Sequence, residues 1–151
     1  MHVRLRHVPM FILAGLLTGC SSHSSDLNGT WVGTDTRTGL PGLTDTVTLQ
    51  GENSAVSGTF VATLNGAVVY SGTITGTFTK PTFQFTATVP NGGVANEPNC
   101  SLGILGSGTF VNSGYGSTGP SKTLTGTFTV TPTGGCSIGS SAMVDTFSWG
   151  Q

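Results

Sequence analysis

The segment that decides the fold is Tyr70-Ser71-Gly72-Thr73-Ile74-Thr75-Gly76-Thr77-Phe78-Thr79, in which apolar residues or glycines alternate with serine or threonine. This period of two is typical of a β-strand with one packed face and one solvated face. The same alternation recurs over residues 82–89 and 123–130. No apolar stripe at the helical spacing of 3.6 residues interrupts it. The sequence therefore predicts an all-β protein.

The alternation predicts eight strands, over residues 29–37, 44–51, 55–64, 68–79, 82–89, 100–112, 121–131 and 142–149. Their connections are short, and Asn65-Gly66 is a strong signal for a two-residue hairpin turn. Short connections favour an eight-stranded antiparallel up-and-down β-barrel, with no helix after the signal peptide described below. A two-sheet β-sandwich shows the same alternation and remains the alternative.

A short motif, Gly-Thr followed by an aromatic residue or Ile, recurs at irregular spacing. Its copies begin at Gly29, Gly58, Gly72, Gly76, Gly108 and Gly126. Each copy places the glycine on the same strand face as the ring. A glycine on the packed face lets a strand bend sharply, which the closure of a small barrel requires.

Strand parity also places every phenylalanine after residue 20, together with Trp31, Tyr70 and Trp149, on one face, and mostly threonine and serine on the other. A membrane barrel shows the reverse arrangement, apolar outside and polar inside. The sequence therefore predicts a barrel with an aromatic interior and a hydroxyl-rich outer wall.

The first twenty residues have the pattern of an export signal. Arg4 and Arg6 precede an apolar run of about ten residues, which has the length of a signal-peptide core and is too short to span a bilayer. Leu17-Thr18-Gly19-Cys20 then resembles the lipobox of bacterial lipoproteins. That resemblance implies cleavage before Cys20 and acylation of Cys20, and Ser21 in the next position favours the outer membrane.

These features divide the chain into three parts. Residues 1–19 are predicted to be a lipoprotein signal peptide, residues 20–27 a lipid-anchored polar tether, and residues 28–151 the barrel domain. The expected location is the bacterial cell envelope, with the membrane as a partner through the lipid anchor.

Two cysteines remain in the predicted domain, Cys100 and Cys136. An even pair in an exported chain predicts a disulfide. The meander supports the pairing, because it brings both residues to the same end of the barrel. No metal site is predicted, because two thiols without a histidine do not form a zinc site.

Composition excludes several classes of function. Only 7% of the residues are charged, and after Cys20 three cations (Arg37, Lys80 and Lys122) face six carboxylates, which argues against a nucleic-acid partner. The three histidines lie at positions 2, 7 and 23, so the predicted domain has no imidazole for Ser–His–Asp or Cys–His chemistry. We expect a protein that is not an enzyme and that needs no cofactor.

A tentative ligand site follows from the polar residues that share the inward parity near the barrel opening: Asp35, Arg37, Asp45, Tyr70 and Asp145. They could line a ligand site or form a salt-bridged rim. An eight-stranded barrel is just wide enough to be filled by side chains or to hold one small ligand. The aromatic rings favour a filled interior and the inward glycines favour space, so a shallow cup at the opening stays open as an alternative.

The start of the first predicted strand, Asn28-Gly29-Thr30-Trp31, resembles the Gly-x-Trp start of lipocalins and the Gly-Thr-Trp start of avidins. The lipocalin pattern also has a late arginine and a C-terminal helix, and neither stands here. The resemblance implies a packing role for Trp31 at the closed end. We expect a structural role for Trp149 as well.

These observations predict a lipid-anchored envelope protein that binds a small ligand at the barrel opening. The alternative is a structural or adhesive surface protein that uses its threonine-rich outer faces, for instance toward a glycan. Thr73, Thr75, Thr77 and Thr79 form one such ladder, and Thr123, Thr125, Thr127 and Thr129 form another.

The anchor can be tested directly. Cys20→Ala should give a protein that is neither acylated nor recovered in the membrane fraction, because the thiol that would carry the lipid is gone. Labelling of cells with radioactive palmitate, followed by fractionation, measures both properties beside the natural chain. Palmitate incorporated by the variant would contradict the lipobox assignment.

Overall fold

The computed structural model describes residues 24–36, 41–114, 118–119, 121–137 and 141–151. Apart from one short 3-10 turn, its regular structure consists of strands: β1 (Gly29–Asp35), β2 (Leu43–Glu52), β3 (Ala55–Leu64), β4 (Ala67–Thr79), β5 (Thr82–Val89), β6 (Leu102–Asn112), β7 (Lys122–Pro132) and β8 (Met143–Gly150). The strand boundaries expected from the alternation agree with these to within two residues.

The eight strands form a closed antiparallel barrel in sequence order. Closure is made by β1 and β8, whose register runs from Val32 opposite Gly150 to Asp35 opposite Phe147. The prediction of an up-and-down barrel is confirmed. The β-sandwich is excluded, because the first and last strands pair with each other.

The two ends of the barrel differ. The end that carries the connections β1–β2, β3–β4, β5–β6 and β7–β8 is called the mouth, and the opposite end is called the floor. The floor has tight turns at residues 53–54 and 80–81 and the β6–β7 connection. The peptide bond between Lys80 and Pro81 is cis.

A 3-10 turn over Ser24–Leu27 closes the floor. Leu27 has no exposed surface, and its carbonyl accepts a hydrogen bond of 2.8 Å from the indole of Trp31. Trp31 itself has no exposed surface. Residues 24–27, assigned to the polar tether from the sequence, pack beneath the barrel, because the apolar side chain of Leu27 is buried there.

Aromatic rings fill the interior, and they do so where the neighbouring strand has a glycine. A methyl group added to Gly106 would lie 2.3 Å from the Phe85 ring, and one added to Gly72 would lie 2.9 Å from the Phe60 ring. Strand register explains the arrangement, because Gly76, Phe85, Gly106 and Phe128 follow one another across four adjacent strands. The volume that these glycines leave is occupied by rings, so they do not create a cup.

The same glycines let neighbouring backbones approach. A methyl group on Gly126 would come within 2.1 Å of the carbonyl oxygen of Ser107, and one on Gly72 within 2.1 Å of that of Thr88. Glycine on the packed face therefore serves two purposes. It admits a ring, and it permits the coiling that closes a narrow barrel.

The outer wall carries hydroxyl groups in continuous cross-strand rows. One row takes a single residue from each strand and passes completely around the barrel: Thr79, Thr82, Thr109, Thr125, Ser148, Thr34, Thr44 and Thr63. Directly opposed side chains of this kind lie about 5 Å apart and stabilise a sheet by roughly 0.2–1 kcal/mol per pair. Hydroxyl groups thus cover much of the wall, together with exposed apolar side chains such as Val32, Leu105 and Val144.

The pairing of rings with glycines predicts different effects of alanine at two glycines of β6. Gly106→Ala should lower the free energy of unfolding by about 1–3 kcal/mol, the usual cost of overpacking a core. Gly103→Ala, where the added methyl group meets only ordinary contacts at 3.5 Å or more, should change it by less than about 1 kcal/mol.

Urea denaturation of both variants measures the difference. Adding Phe85→Leu to Gly106→Ala should reduce the cost that Gly106→Ala causes, because the smaller side chain vacates the space that the methyl group needs. Equal effects of the two alanines would contradict the packing described here.

Candidate functional site

Three carboxylates lie inside the barrel on the mouth side. Asp35, Asp45 and Asp145 are 6%, 5% and 5% exposed. The sequence predicted their inward direction correctly. It placed them on a solvated rim, however, whereas the barrel wall and the aromatic rings bury them. Each of the three has an interaction partner.

Two aromatic side chains bind these acids. The indole Nε1 of Trp149 donates a hydrogen bond of 3.0 Å to Asp45, and the hydroxyl of Tyr70 donates one of 3.4 Å to Asp35. Both bonds are buried. They join residues that are 104 and 35 positions apart in the chain, so they could not be read from any local motif. Trp149 holds the position of an acid as well as packing in the core.

Asp35 and Asp145 lie on paired strands. Asp35 is opposite Phe147, and the next residue, Thr36, donates its backbone N–H to the carbonyl of Thr146 over 3.0 Å. The two carboxylates are therefore on adjacent strands with an offset of two residues. Arg37, expected to accompany them, lies outside the described residues.

A cavity of about 30 Å³ lies between these groups, lined by Asp35, Asp45, Tyr70 and Trp149 together with apolar side chains. A buried water needs roughly 10–15 Å³ of such space, so the cavity has room for about two. Pockets for small organic ligands are usually about 300–1,000 Å³. The cavity therefore has the size for an ion or water rather than for an organic molecule.

The β5–β6 loop closes the barrel wall beside the mouth. β4 pairs with β5 only from Thr73 onward. On the mouth side of Thr73, the loop lies beside β4 where β5 would otherwise be. Gly93 accepts a hydrogen bond from the backbone of Ser71, and Ala95 donates one to Val69, at 2.9 and 2.8 Å. This connection contributes to the wall.

A disulfide between Cys100 and Cys136 links that loop to the β7–β8 connection, with Cα atoms 4.4 Å apart. The predicted pairing is confirmed. Nearby, the backbone N–H and the hydroxyl of Ser137 both donate to the Glu97 carboxylate. These two hydrogen bonds hold the pKa of Glu97 below its usual range. The two mouth loops are therefore joined covalently and by a charged clamp.

Glu97, Cys100 and Cys136 form the one group of three metal-ligand side chains found among the described residues. Both sulfur atoms are committed to the disulfide. In the oxidised protein this group offers no thiolate to a metal ion.

The larger concavities are on the outer wall. One of about 740 Å³ lies across β4–β7, and another of about 880 Å³ lies across the parts of β1–β4 that are nearer the floor. The two share Thr75 and Gly76. The sequence indicated the threonine ladders that line them. It did not indicate the concavities, because these depend on the cross-strand register that places Gly76 and Gly106 in the lining.

Comparison with protein-family models, with curated proteins and with solved structures found no match for this chain. Across the described residues, no helix has the length and apolar character needed to cross a membrane.

The disulfide should contribute substantially to stability. It closes a segment of 36 residues, for which the chain-entropy model gives about 3–4 kcal/mol, and its removal from small exported domains costs roughly 2–5 kcal/mol. We expect a loss in that range for Cys100→Ala combined with Cys136→Ala, measured by denaturation. A reducing agent should destabilise the natural chain and leave the double variant unchanged.

Thiol titration provides the control. The natural chain and the double variant, unfolded without reductant, should contain equal numbers of free thiols. Two additional thiols in the natural chain would contradict the pairing.

Proposed function

We propose that this protein is a lipid-anchored component of the bacterial cell envelope that acts by binding, without catalysis, and that its outer wall is the main contact surface. The observation that carries the proposal is the contrast between interior and exterior. The interior holds about 30 Å³ of free space, whereas the wall has adjoining concavities of about 740 and 880 Å³.

The position of the floor supports attachment through Cys20. Ser24 is packed against the floor, where its backbone N–H donates to the carbonyl of Asn53 over 3.3 Å. Four residues of fully extended chain span at most about 14 Å. A lipid on Cys20 would therefore hold the floor within about 14 Å of the membrane, with the mouth on the opposite side.

Hydrogen bonds at the floor fix the start of the folded chain to the barrel. Lys80 forms an ion pair of 3.0 Å with Asp26, and Lys122 donates to the backbone carbonyl of Asp26 over 3.1 Å. The ammonium of Lys122 also donates to the side chain of Gln151. The tether, which starts at Cys20, thus reaches the barrel at a fixed point beneath it. This favours an orientation with the floor toward the membrane.

A second candidate function is the binding of a small cation at the mouth. The observation that favours it is the position of Asp35 and Asp45 beside a cavity of about 30 Å³ that Tyr70 and Trp149 also line. Ammonium, a cation about the size of a water molecule, is a suitable probe. Its binding should shift the indole N–H resonance of Trp149, and an unchanged resonance at saturating ammonium would contradict this candidate.

The orientation is tested with the acylated protein in nanodiscs that contain lipids with a nitroxide on the headgroup. Backbone amide signals of the floor residues Asn53 and Lys80 should lose intensity relative to the same sample without nitroxide. Signals of the mouth residues Asn65 and Gly92 should keep theirs, because they lie at the far end of the strands. Greater loss at the mouth would contradict the proposed orientation.

A further inference from the structure

The two outer concavities share Thr75 and Gly76 and form one continuous groove, one side of which is a single cross-strand row. That row consists of Gln50, Ser57, Thr75, Thr86, Leu105 and Thr129, each directly opposite the next on the neighbouring strand. The first three line the larger concavity and the last four line the smaller one, with Thr75 common to both. Five interstrand spacings of about 4.8 Å give a groove about 24 Å long.

The groove is almost free of charge. Among the residues that line its two parts, Glu52 alone is ionisable, and it lies at the end near the floor. Described charged residues elsewhere are at the floor, at the mouth or inside the barrel. A charged polymer laid in this groove would lose hydration without meeting an opposite charge, which is costly. The lining therefore selects an uncharged occupant.

The lining side chains offer hydrogen bonds in regular order. A second cross-strand row lies along the opposite side of this part of the groove, with one residue on each of β4 to β7: Thr77, Gln84, Ser107 and Thr127. Each hydroxyl both donates and accepts, and the amide of Gln84 does the same. Such a lining matches a ligand whose own groups are hydroxyls.

Apolar contacts accompany these polar groups. Leu105 is 65% exposed along one side of the groove, and every threonine adds a methyl group beside its hydroxyl. Sugars also present C–H faces between their hydroxyls, so the mixed lining suits a sugar chain better than it suits an apolar peptide.

We propose that this groove binds an uncharged polysaccharide strand. The inference rests on the proposed function, in that it names the class of partner that the outer wall contacts. Net gains of roughly 0.5–1.5 kcal/mol per hydrogen bond, without an aromatic ring exposed among the residues that line the groove, give little affinity for a single sugar. Binding should therefore strengthen with the number of sugar units until the chain fills the groove.

The test is a glycan array probed with the full chain as it is purified from cells, kept in detergent. The array carries glucan, mannan and chitin oligosaccharides of two to eight units beside chains that contain uronic or sialic acids. We expect binding to at least one uncharged series, an increase of at least tenfold from two units to the longest chain, and weaker binding to the acidic chains. An absence of binding to every uncharged series, or a preference for acidic chains, would overturn the proposal.

Two aspartate variants localise the binding. Thr86→Asp places a charge midway along the groove and should weaken binding at least tenfold. Thr46→Asp places the same charge on an exposed position of β2 that lies outside both concavities, and it should leave binding within twofold. Equal losses in the two variants would overturn the assignment to the groove.

Leu105→Ala provides a second variant that does not alter charge. It removes an exposed side chain, should leave the thermal unfolding transition unchanged, and should weaken binding several-fold. Unaltered binding by this variant and by folded Thr86→Asp would contradict the proposal. Neither the array nor the variants depend on membrane attachment, so failure here is distinct from failure of the nanodisc experiment.

Discussion

The close approach of aromatic rings and backbone carbonyls to inward-facing glycines is the constraint on which the rest of this structure depends. A barrel of eight strands has a narrow interior, and a ring from every strand at the same level along the barrel axis would overfill it. Placing a glycine opposite a ring, as Gly106 is opposite Phe85 and Phe128, lets each ring use the space of two positions. Because these inward positions hold glycine instead of a larger residue, the strands can also coil until β1 meets β8.

This packing directs function to the outside. Because rings occupy the space beside the glycines, the cavity near the carboxylates of Asp35 and Asp45 is only about 30 Å³. Coiling at Gly76 and Gly106 accompanies the groove on the outer surface, where both residues contribute to the lining. One structural device thus explains both the filled interior and the concave wall. The buried acids then have partners within the protein, including the indole of Trp149 and the hydroxyl of Tyr70.

Much of the fold could be predicted from the sequence because its signals are local. Alternation over residues such as 70–79 fixes which side chains face inward, and short turns such as Asn65-Gly66 leave few topologies. The pairing of Cys100 with Cys136 followed from the even pair of cysteines in a chain with an export signal, and the meander supported it. The 3-10 turn at Ser24–Leu27 was missed because its polar residues resemble a linker, and only the burial of Leu27 shows that it belongs to the folded part.

The candidate sites were less predictable, because they depend on distances between strands. The inward parity of Asp45 was evident, whereas its bond to Trp149 depends on how far β8 is shifted relative to β1 and β2. Inward glycines were ambiguous in the sequence, since they leave space that a ligand or a ring can occupy. Only the three-dimensional register shows that rings occupy it.

The measurement that tests this central claim most directly is a nuclear Overhauser spectrum of the folded protein with assigned aromatic and glycine protons. Ring protons of Phe85 should give strong cross-peaks to the α-protons of Gly106, and those of Phe60 to the α-protons of Gly72, since these groups are in van der Waals contact. Gly103, on the outer face of β6, should give none to any ring. Missing ring–glycine cross-peaks, with water signals at the glycine α-protons in their place, would show a hydrated interior and contradict the account.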